Sequence, residues 1–390
     1  MSGSPNNRGA LTSLILARIV YAINWLNIGP IYVLMQPDLR VGISGLGTLT
    51  AAFYLGLGLM QIPGGILAAV WGQKKTVTLG VFLSSLTVLG TSVFSDVNEI
   101  AALRFIVGMG MAFVFAPGVV MVSKLLGGNK SGMGVGLFSS AYDFGGVLGI
   151  FGWVVIAVAT QWRLSIALGG ALGVVSGILV IALVPPDSSG SDFRVETRKL
   201  LGILTDRRIV LLGFGTLGFG VGNIVISAFM VEYLGRTQGI SPTLAGLIDS
   251  LVVIVPIFTS IWGGRIYDRA KRPRLIMALA LLGSSGALAL GSVPSFYAAV
   301  GSAAMGGLVS GIGYTIAFAG ARDLNRFSGE YDSLAIGWVN SISLTGSFVV
   351  PIFYSYVVEA AGYSQAWLAS AAFSLVFLVP VLFSKEGFGR

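Results

Sequence analysis

The sequence predicts an all-α integral membrane protein: twelve transmembrane helices in two six-helix bundles, with both termini in the cytoplasm. Three observations predict it. Hydrophobic residues fill 55% of the 390 positions and charged residues only 10%, where a soluble domain carries roughly 25% charged residues. Apolar runs of about 20 residues, the length that crosses a bilayer, recur along the whole chain. Lys and Arg concentrate on one set of connecting segments, as they do in cytoplasmic loops. The mean hydropathy of +0.87 agrees. The 56 glycines suit membrane helices whose backbones approach closely.

The runs cover residues 11–35, 46–70, 76–94, 100–126, 131–159, 163–184, 209–234, 241–267, 275–293, 295–321, 333–358 and 365–383. A short polar start precedes the first run, which shows no small-residue cleavage site. It reads as a membrane helix and not as a cleaved signal peptide. The ninth and tenth runs are parted only by Pro294 and its neighbours. Between the sixth and seventh lies the one long polar stretch, which holds Pro185-Pro186, three serines and a mixed set of charges. It divides the chain into an N-terminal bundle, residues 1–184, a cytoplasmic linker, 185–208, and a C-terminal bundle, 209–390.

With the N-terminus inside, 19 of the 24 Lys and Arg fall on inner segments and three, Arg40, Arg163 and Arg236, on outer ones. Arg18 and Arg104 lie within runs. The net charge of +8 therefore faces the cytoplasm. No contiguous basic face on a soluble element is visible, so nucleic acid is not an expected partner.

The chain has no Cys and no His. Disulfides, thiolate catalysis and Cys-ligated metals are excluded, as are the usual general base and proton-relay residue. No enzyme active site, metal or cofactor is expected. No phosphate-binding loop on a soluble element is present, so ATP-driven transport by this chain alone is not expected either.

The halves repeat. Gly42-Ile43-Ser44 opens the second run and Gly239-Ile240-Ser241 the eighth, each Ser placed to cap its helix. Gly65 and Gly264, 199 residues apart, each precede a basic segment: Trp71-Gly72-Gln73-Lys74-Lys75 in one case, Asp268-Arg269-Ala270-Lys271-Arg272-Pro273-Arg274 in the other. A duplicated six-helix unit explains the offset.

At these residues the sequence resembles the major facilitator superfamily, whose members carry a Gly-x-x-x-Asp-Arg-x-x-Arg type loop after the second helix and a weaker copy after the eighth. Here the second copy is the fuller one, with Gly264, Asp268, Arg269 and Arg272; the first has Ala69 and Val70 where Asp and Arg are expected. Arg104-Phe105-Ile106-Val107-Gly108-Met109-Gly110 is similar to the family's Arg-x-x-x-Gly-x-Gly segment, and Gln161-Trp162-Arg163 is also typical. Phe53-Tyr54-Leu55-Gly56 and Gln61-Ile62-Pro63-Gly64 resemble the anion:cation symporter and related metabolite branches. So does Ile23-Asn24-Trp25-Leu26-Asn27, although Asn27 and Ile28 replace that branch's acidic-basic pair. The Gly-Pro motif that drug antiporters carry on helix five is missing: Gly145-Gly146 has no adjacent Pro. The resemblance implies a monomeric secondary transporter that works by alternating access.

Charges within a bilayer are costly and often functional. Asp143 lies about 18 Å into its helix. A carboxyl with little water around it can load and release a proton near neutral pH. The alternative is a structural carboxylate paired with Arg. Arg18 shares a helix face with Tyr21 and Trp25, a combination suited to an organic anion. Snorkelling to the interface is the competing reading. Arg18 and Asp143 form an exchangeable pair if helices one and five are neighbours, as the resemblance implies. It also implies coupling for Arg104, against a structural clamp. Asp249 either titrates or pairs with an outer group such as Arg236. Asp268, Arg269, Arg272, Arg322 and Asp323 are expected to form a cytoplasmic gate, or else only to set topology. Helices one, four, seven and ten line the cavity in the family, which makes Asn24, Asn27, Asn223 and Tyr314 candidate lining residues, each also suited to a helix–helix contact.

The expected function is proton-coupled symport of a small organic anion or metabolite, with the proton as coupling ion and the plasma membrane as location. The rivals are an efflux antiporter for amphipathic compounds and a transporter-like sensor without flux.

Overall fold

The computed structural model describes residues 5–126, 131–186, 196–269, 272–327 and 331–383, and all regular structure among them is helical. The first half holds α1 (Pro5–Leu26), α2 (Ile28–Leu39), α3 (Ile43–Leu59), α4 (Gln61–Trp71), α5 (Gln73–Thr91) and α6 (Val97–Leu126). It continues with α7 (Ser131–Val147), a π-helical turn (Leu148–Gly152), α8 (Trp153–Ala159) and α9 (Trp162–Leu183). The short α10 (Thr197–Leu204) lies within the polar stretch. The second half holds α11 (Arg207–Gln238), α12 (Pro242–Asp249), α13 (Leu251–Arg269), α14 (Pro273–Gly291) and α15 (Phe296–Leu324). It ends with α16 (Asp332–Gly346), α17 (Val349–Ala361), α18 (Tyr363–Val376) and α19 (Leu378–Phe383).

Every predicted apolar run is therefore helical, but several are interrupted. Four interruptions share one cause. Pro30, Pro63, Pro351 and Pro380 each stand three residues past a non-helical position, at Asn27, Met60, Phe348 and Phe377. Each proline thus sits in the first turn of the following helix, where its missing N–H breaks no helical hydrogen bond. Ten helical segments are long and apolar enough to cross a membrane, and an eleventh follows if α3 and α4, bent by 42°, are one span. The run outside this count is α5, which opens on Gln73, Lys74 and Lys75 and carries several Ser and Thr.

Lipid tails are as apolar as leucine, so helices in a membrane associate through close packing and hydrogen bonds. Small residues supply the close approaches. At Gly108 on α6 an added Cβ would lie 2.2 Å from the Phe53 carbonyl of α3. At Gly29 on α2 it would lie 2.7 Å from the Ala228 backbone of α11, across the two halves. α10 is docked on the second half: the Trp338 indole donates to the Leu204 carbonyl at 3.1 Å, and the Glu196 N–H to the Tyr331 hydroxyl at 3.2 Å.

Among the described residues four side-chain hydrogen bonds join the halves. The Gln36 amide donates to Glu232 at 3.2 Å and accepts from Arg236, and Glu359 accepts from the Ser44 N–H at 3.2 Å. These lie at the end that the charge pattern assigns to the outside. The fourth, Ser341 to the Gly58 carbonyl at 2.8 Å, lies nearer the middle.

Candidate functional site

Two buried arginines organise the centre of the first half. Arg18, on α1, is 5% exposed. Its guanidinium carbon stands 4.4 Å from the centre of the Tyr21 ring, 4.7 Å from Tyr142, 4.9 Å from Phe138 and 5.0 Å from Phe115. The rings come from α1, α6 and α7, so the cage exists only because these helices pack together. Ring faces attract a cation, but they accept no strong hydrogen bond in the plane of the guanidinium. Nε and Nη1 are buried without an acceptor. The aromatic set continues outward from this cage: Trp25 lies 5.5 Å from Tyr142, 5.2 Å from Phe53 and 6.0 Å from Tyr54, each edge to face.

Arg104, on α6, is 3% exposed and also lies over an aromatic ring, Phe53, at 4.5 Å. It differs in having acceptors: Nη1 donates to the Asn24 carbonyl at 3.1 Å and Nη2 to the Trp25 carbonyl at 3.4 Å. Both carbonyls belong to the last turn of α1, where the interruption at Asn27 removes their helical donors. Arg104 therefore ties α6 to the α1–α2 joint. Asn24 is engaged there too, donating to the Gly169 carbonyl of α9 at 3.0 Å and accepting from Asn27 at 3.4 Å. Beyond the joint, a void of about 20 Å³ between Trp25, Tyr54, Arg104 and Ser227 is large enough for a water and too small for a solute.

Asp143 is half-buried on α7, one residue beyond Tyr142 of the cage. Arg18 is the charge whose field reaches its carboxyl, yet no ion pair within 4.0 Å joins them among the described residues. Asp249 ends α12, is fully buried, and has no hydrogen-bond partner on either oxygen. Its expected partner is engaged elsewhere: Arg236 donates to Glu232 at 3.0 Å and to Gln36. The Asp249–Arg236 alternative is thus corrected: Arg236 is held by Glu232 and Gln36 with its side chain 54% exposed, whereas Asp249 is fully buried. Asn223 is half-buried on α11. Tyr314, on α15, packs edge to face on Phe219 at 4.9 Å.

Of the expected inner gate, Arg322 and Asp323 pair at 3.2 Å, and Tyr267 donates to Asp323 at 2.8 Å. Asp268, Arg269 and Arg272 are exposed and form no ion pair among the described residues. The better-built network is at the opposite end, which the charge pattern assigns to the outside, where one Glu232 oxygen, on a residue 1% exposed, accepts from Gln36, Arg236 and Tyr363. Sequence reasoning missed Gln36 and Tyr363 altogether. It also missed the cage rings Phe115 and Phe138. A lone Phe in an apolar run carries no signal until the partner helix is known.

The sequence model of the major facilitator superfamily matches residues 14–222 and again 212–388. A probable sulfoacetate transporter, SauU of Cupriavidus necator, is 25% identical over 395 aligned positions, covering 92% of this chain and 91% of that protein. The quinolone resistance protein NorA of Staphylococcus aureus is 26% identical over 237 residues, 58% of this chain. That match covers 60% of NorA, and the match to an uncharacterized transporter of Bacillus subtilis, YybF, covers 58% of it. Among solved structures, a bacterial homologue of the human lysosomal transporter Spinster, inward-facing and unoccupied, aligns with a TM-score of 0.77 at 16% identity, over 99% of this chain and 98% of that one. With an all-helical fold, at least ten apolar spans and family matches in both halves, the chain belongs to the major facilitator superfamily and is a multi-pass membrane transporter.

Proposed function

We propose that the chain is a twelve-helix secondary transporter that takes up a small organic anion together with a proton by alternating access. Residues 1–184 and 209–390 form the two six-helix bundles, 185–208 links them, and both termini are cytoplasmic. The observation that carries the substrate class is the buried Arg18 guanidinium, ringed by four aromatic groups with two nitrogens lacking acceptors. A carboxylate or sulfonate offers in-plane acceptors to that fork, and charge-assisted hydrogen bonds of this kind are the strong ones. Tyr21, Trp25 and Tyr314 supply the walls, with Asn223 on the facing half; Asn24 and Asn27 hold the joint behind them.

Asp143 carries the proton in this reading. It stands beside the Arg18 cage without being paired to it, so anion and proton can arrive and leave as a neutral set. The likeness to a probable sulfoacetate transporter over nearly the full chain supports an organic anion. Asp249 is a second proton carrier. The outer network around Glu232 closes the route from outside, and Asp268, Arg269, Arg272, Arg322 and Asp323 close the inner route in the opposite state.

The test is uptake into proteoliposomes of a panel of small carboxylates and sulfonates under an imposed pH gradient. Wild type should accumulate at least one, faster with the outside acid. Arg18→Ala should abolish uptake, and Asp143→Asn should retain counterflow while losing the response to the gradient. Gradient-driven uptake that survives in Asp143→Asn would remove the proton role.

The aromatic lining favours one rival, export of amphipathic compounds, since rings bind flat apolar solutes as readily as they cage a cation. Counterflow of organic cations, unaffected by Arg18→Ala, would decide for that rival.

A further inference from the structure

A cleft of about 1020 Å³ lies at the end of the first half opposite the Gln36–Glu232 network. Its lining comes from α4, α5, α6 and α9 and the residues that follow α9, with none from the second half. It is therefore off the path between the halves. Among the described residues the charged groups of its lining are Lys74, Lys75 and Lys124, with no carboxylate among them. The family pattern expects an acid at the position of Ala69, in the same lining, and this chain has none there. Lys74 is partly committed, donating to the Ile181 and Val184 carbonyls at 2.8 and 2.5 Å. Lys75 and Lys124 are exposed and pair with no carboxylate among the described residues. Two polar atoms of the lining, Gln73 Oε1 and Thr78 Oγ1, lack hydrogen-bond partners. Trp71, 46% exposed, and Val70, 83% exposed, offer apolar surface at the cleft's mouth.

We propose that this cleft binds the headgroup of an anionic phospholipid, independently of the transported solute. The phosphate bridges Lys75 and Lys124, and the acyl chains run down the face that bears Phe82. Charge complementarity selects the class: Lys75 and Lys124, with no acid among the described lining, attract an anionic lipid over a zwitterionic one, and basic pockets between membrane helices are suited to such headgroups. A Trp at the rim suits the bilayer interface, where its ring can sit among headgroups.

The test uses the full-length protein in detergent, mixed in turn with phosphatidylglycerol, phosphatidylcholine and inorganic phosphate. Native mass spectrometry reads bound lipid and a melting curve reads stabilisation. Phosphatidylglycerol should form a stoichiometric complex and raise Tm, while phosphatidylcholine and phosphate should do neither. The Lys75→Gln/Lys124→Gln double variant should bind phosphatidylglycerol roughly tenfold more weakly, as expected for the loss of two surface cations facing an anionic headgroup. Its lipid-free Tm should stay unchanged, since both side chains are exposed. Brominated phosphatidylglycerol should quench a fluorescence component that is lost in Trp71→Phe, which tests the site without the lysine variants. Equal retention of phosphatidylcholine, or undiminished phosphatidylglycerol binding in the double variant, would overturn the proposal. Stabilisation by inorganic phosphate that competes with the lipid would overturn it in favour of a soluble-anion site.

Discussion

Arg18 and Arg104 are the same residue in nearly the same circumstances. Both are almost fully buried in the first half, and both lie over aromatic rings. They differ in what their nitrogens reach. Arg104 is held by two carbonyls that the α1–α2 joint would otherwise leave without donors, and only its Nε lacks a partner. Arg18 has rings around it, and both Nε and Nη1 lack an acceptor. Burial alone does not distinguish the two side chains; what differs is that Arg104 has backbone acceptors on both terminal nitrogens. In the proposed reading the open nitrogens of Arg18 are kept for the transported anion.

The largest expected effect breaks this comparison at Arg18. Arg18→Ala should lower transport by about a hundredfold or more, the scale of losing one side of a buried charge–charge contact. Tm should stay within a few degrees, because removing an unpaired buried charge is often neutral or stabilising. Arg104→Ala comes next and should act the other way. It orphans two buried carbonyls, at about 1–3 kcal/mol each, so the melting temperature in detergent should fall sharply. Transport per folded molecule should fall less. A stable, inactive Arg104→Ala beside an unstable Arg18→Ala would reverse the two assignments.

Smaller effects sharpen it. Gln36→Ala removes the side chain that ties α2 to both Glu232 and Arg236. Its hydrogen bonds are worth roughly 0.5–1.5 kcal/mol net, enough to shift the population toward an outward-open state several-fold. The protein has no cysteine, so a single one introduced facing the outer route reports this shift by its labelling rate against no background. An unchanged rate would remove Gln36 from the gate. The smallest effect is expected at Asp206, which caps α11 outside the membrane span. Burial pushes its carboxyl up, but hydrogen bonds from Arg208 and the charges of Arg208 and Arg326 outweigh it and hold the group below its usual 3.8. A folded value below the unfolded one stabilises in full above that pH and fades as pH falls through the folded value. Asp206→Asn keeps a cap oxygen but removes the charge that faces Arg208 and Arg326, so it should cost about 0.2–1 kcal/mol at neutral pH, the scale of a partly exposed ion pair, and progressively less in acid.

The helical class, the membrane setting and the family were legible because each is written in long stretches: apolar runs, a polar interruption, repeated glycine-basic segments. Arg18 was legible because a charge inside an apolar run is conspicuous, and Tyr21 and Trp25 follow on its face at helical spacing. Phe115 and Phe138 were not, since their role depends on α6 and α7 meeting α1. Arg104 was open between two readings because its acceptors are backbone carbonyls, which have no letter in a sequence. Asp249 was left open between titrating and pairing with a group such as Arg236; the pattern of charges gave no hint that Gln36 and Glu232 engage Arg236 first. The outer network joins residues up to 200 positions apart, such as Gln36 and Arg236, and only the assembled fold brings them together.

The prolines three residues past each interruption bear on how quickly the molecule can change shape. In an unbroken helix, bending costs hydrogen bonds of the ladder at the bend. Four of these spans already have a break in the helical ladder, at Asn27, Met60, Phe348 and Phe377, and at Met60 the two parts meet at 42°. Each joint can flex without rupturing the backbone ladder on either side. In the proposed alternating-access cycle the barrier to switching would then lie with the side chains around Glu232 more than with the main chain, and single substitutions there would tune the turnover rate while the helices stay as they are.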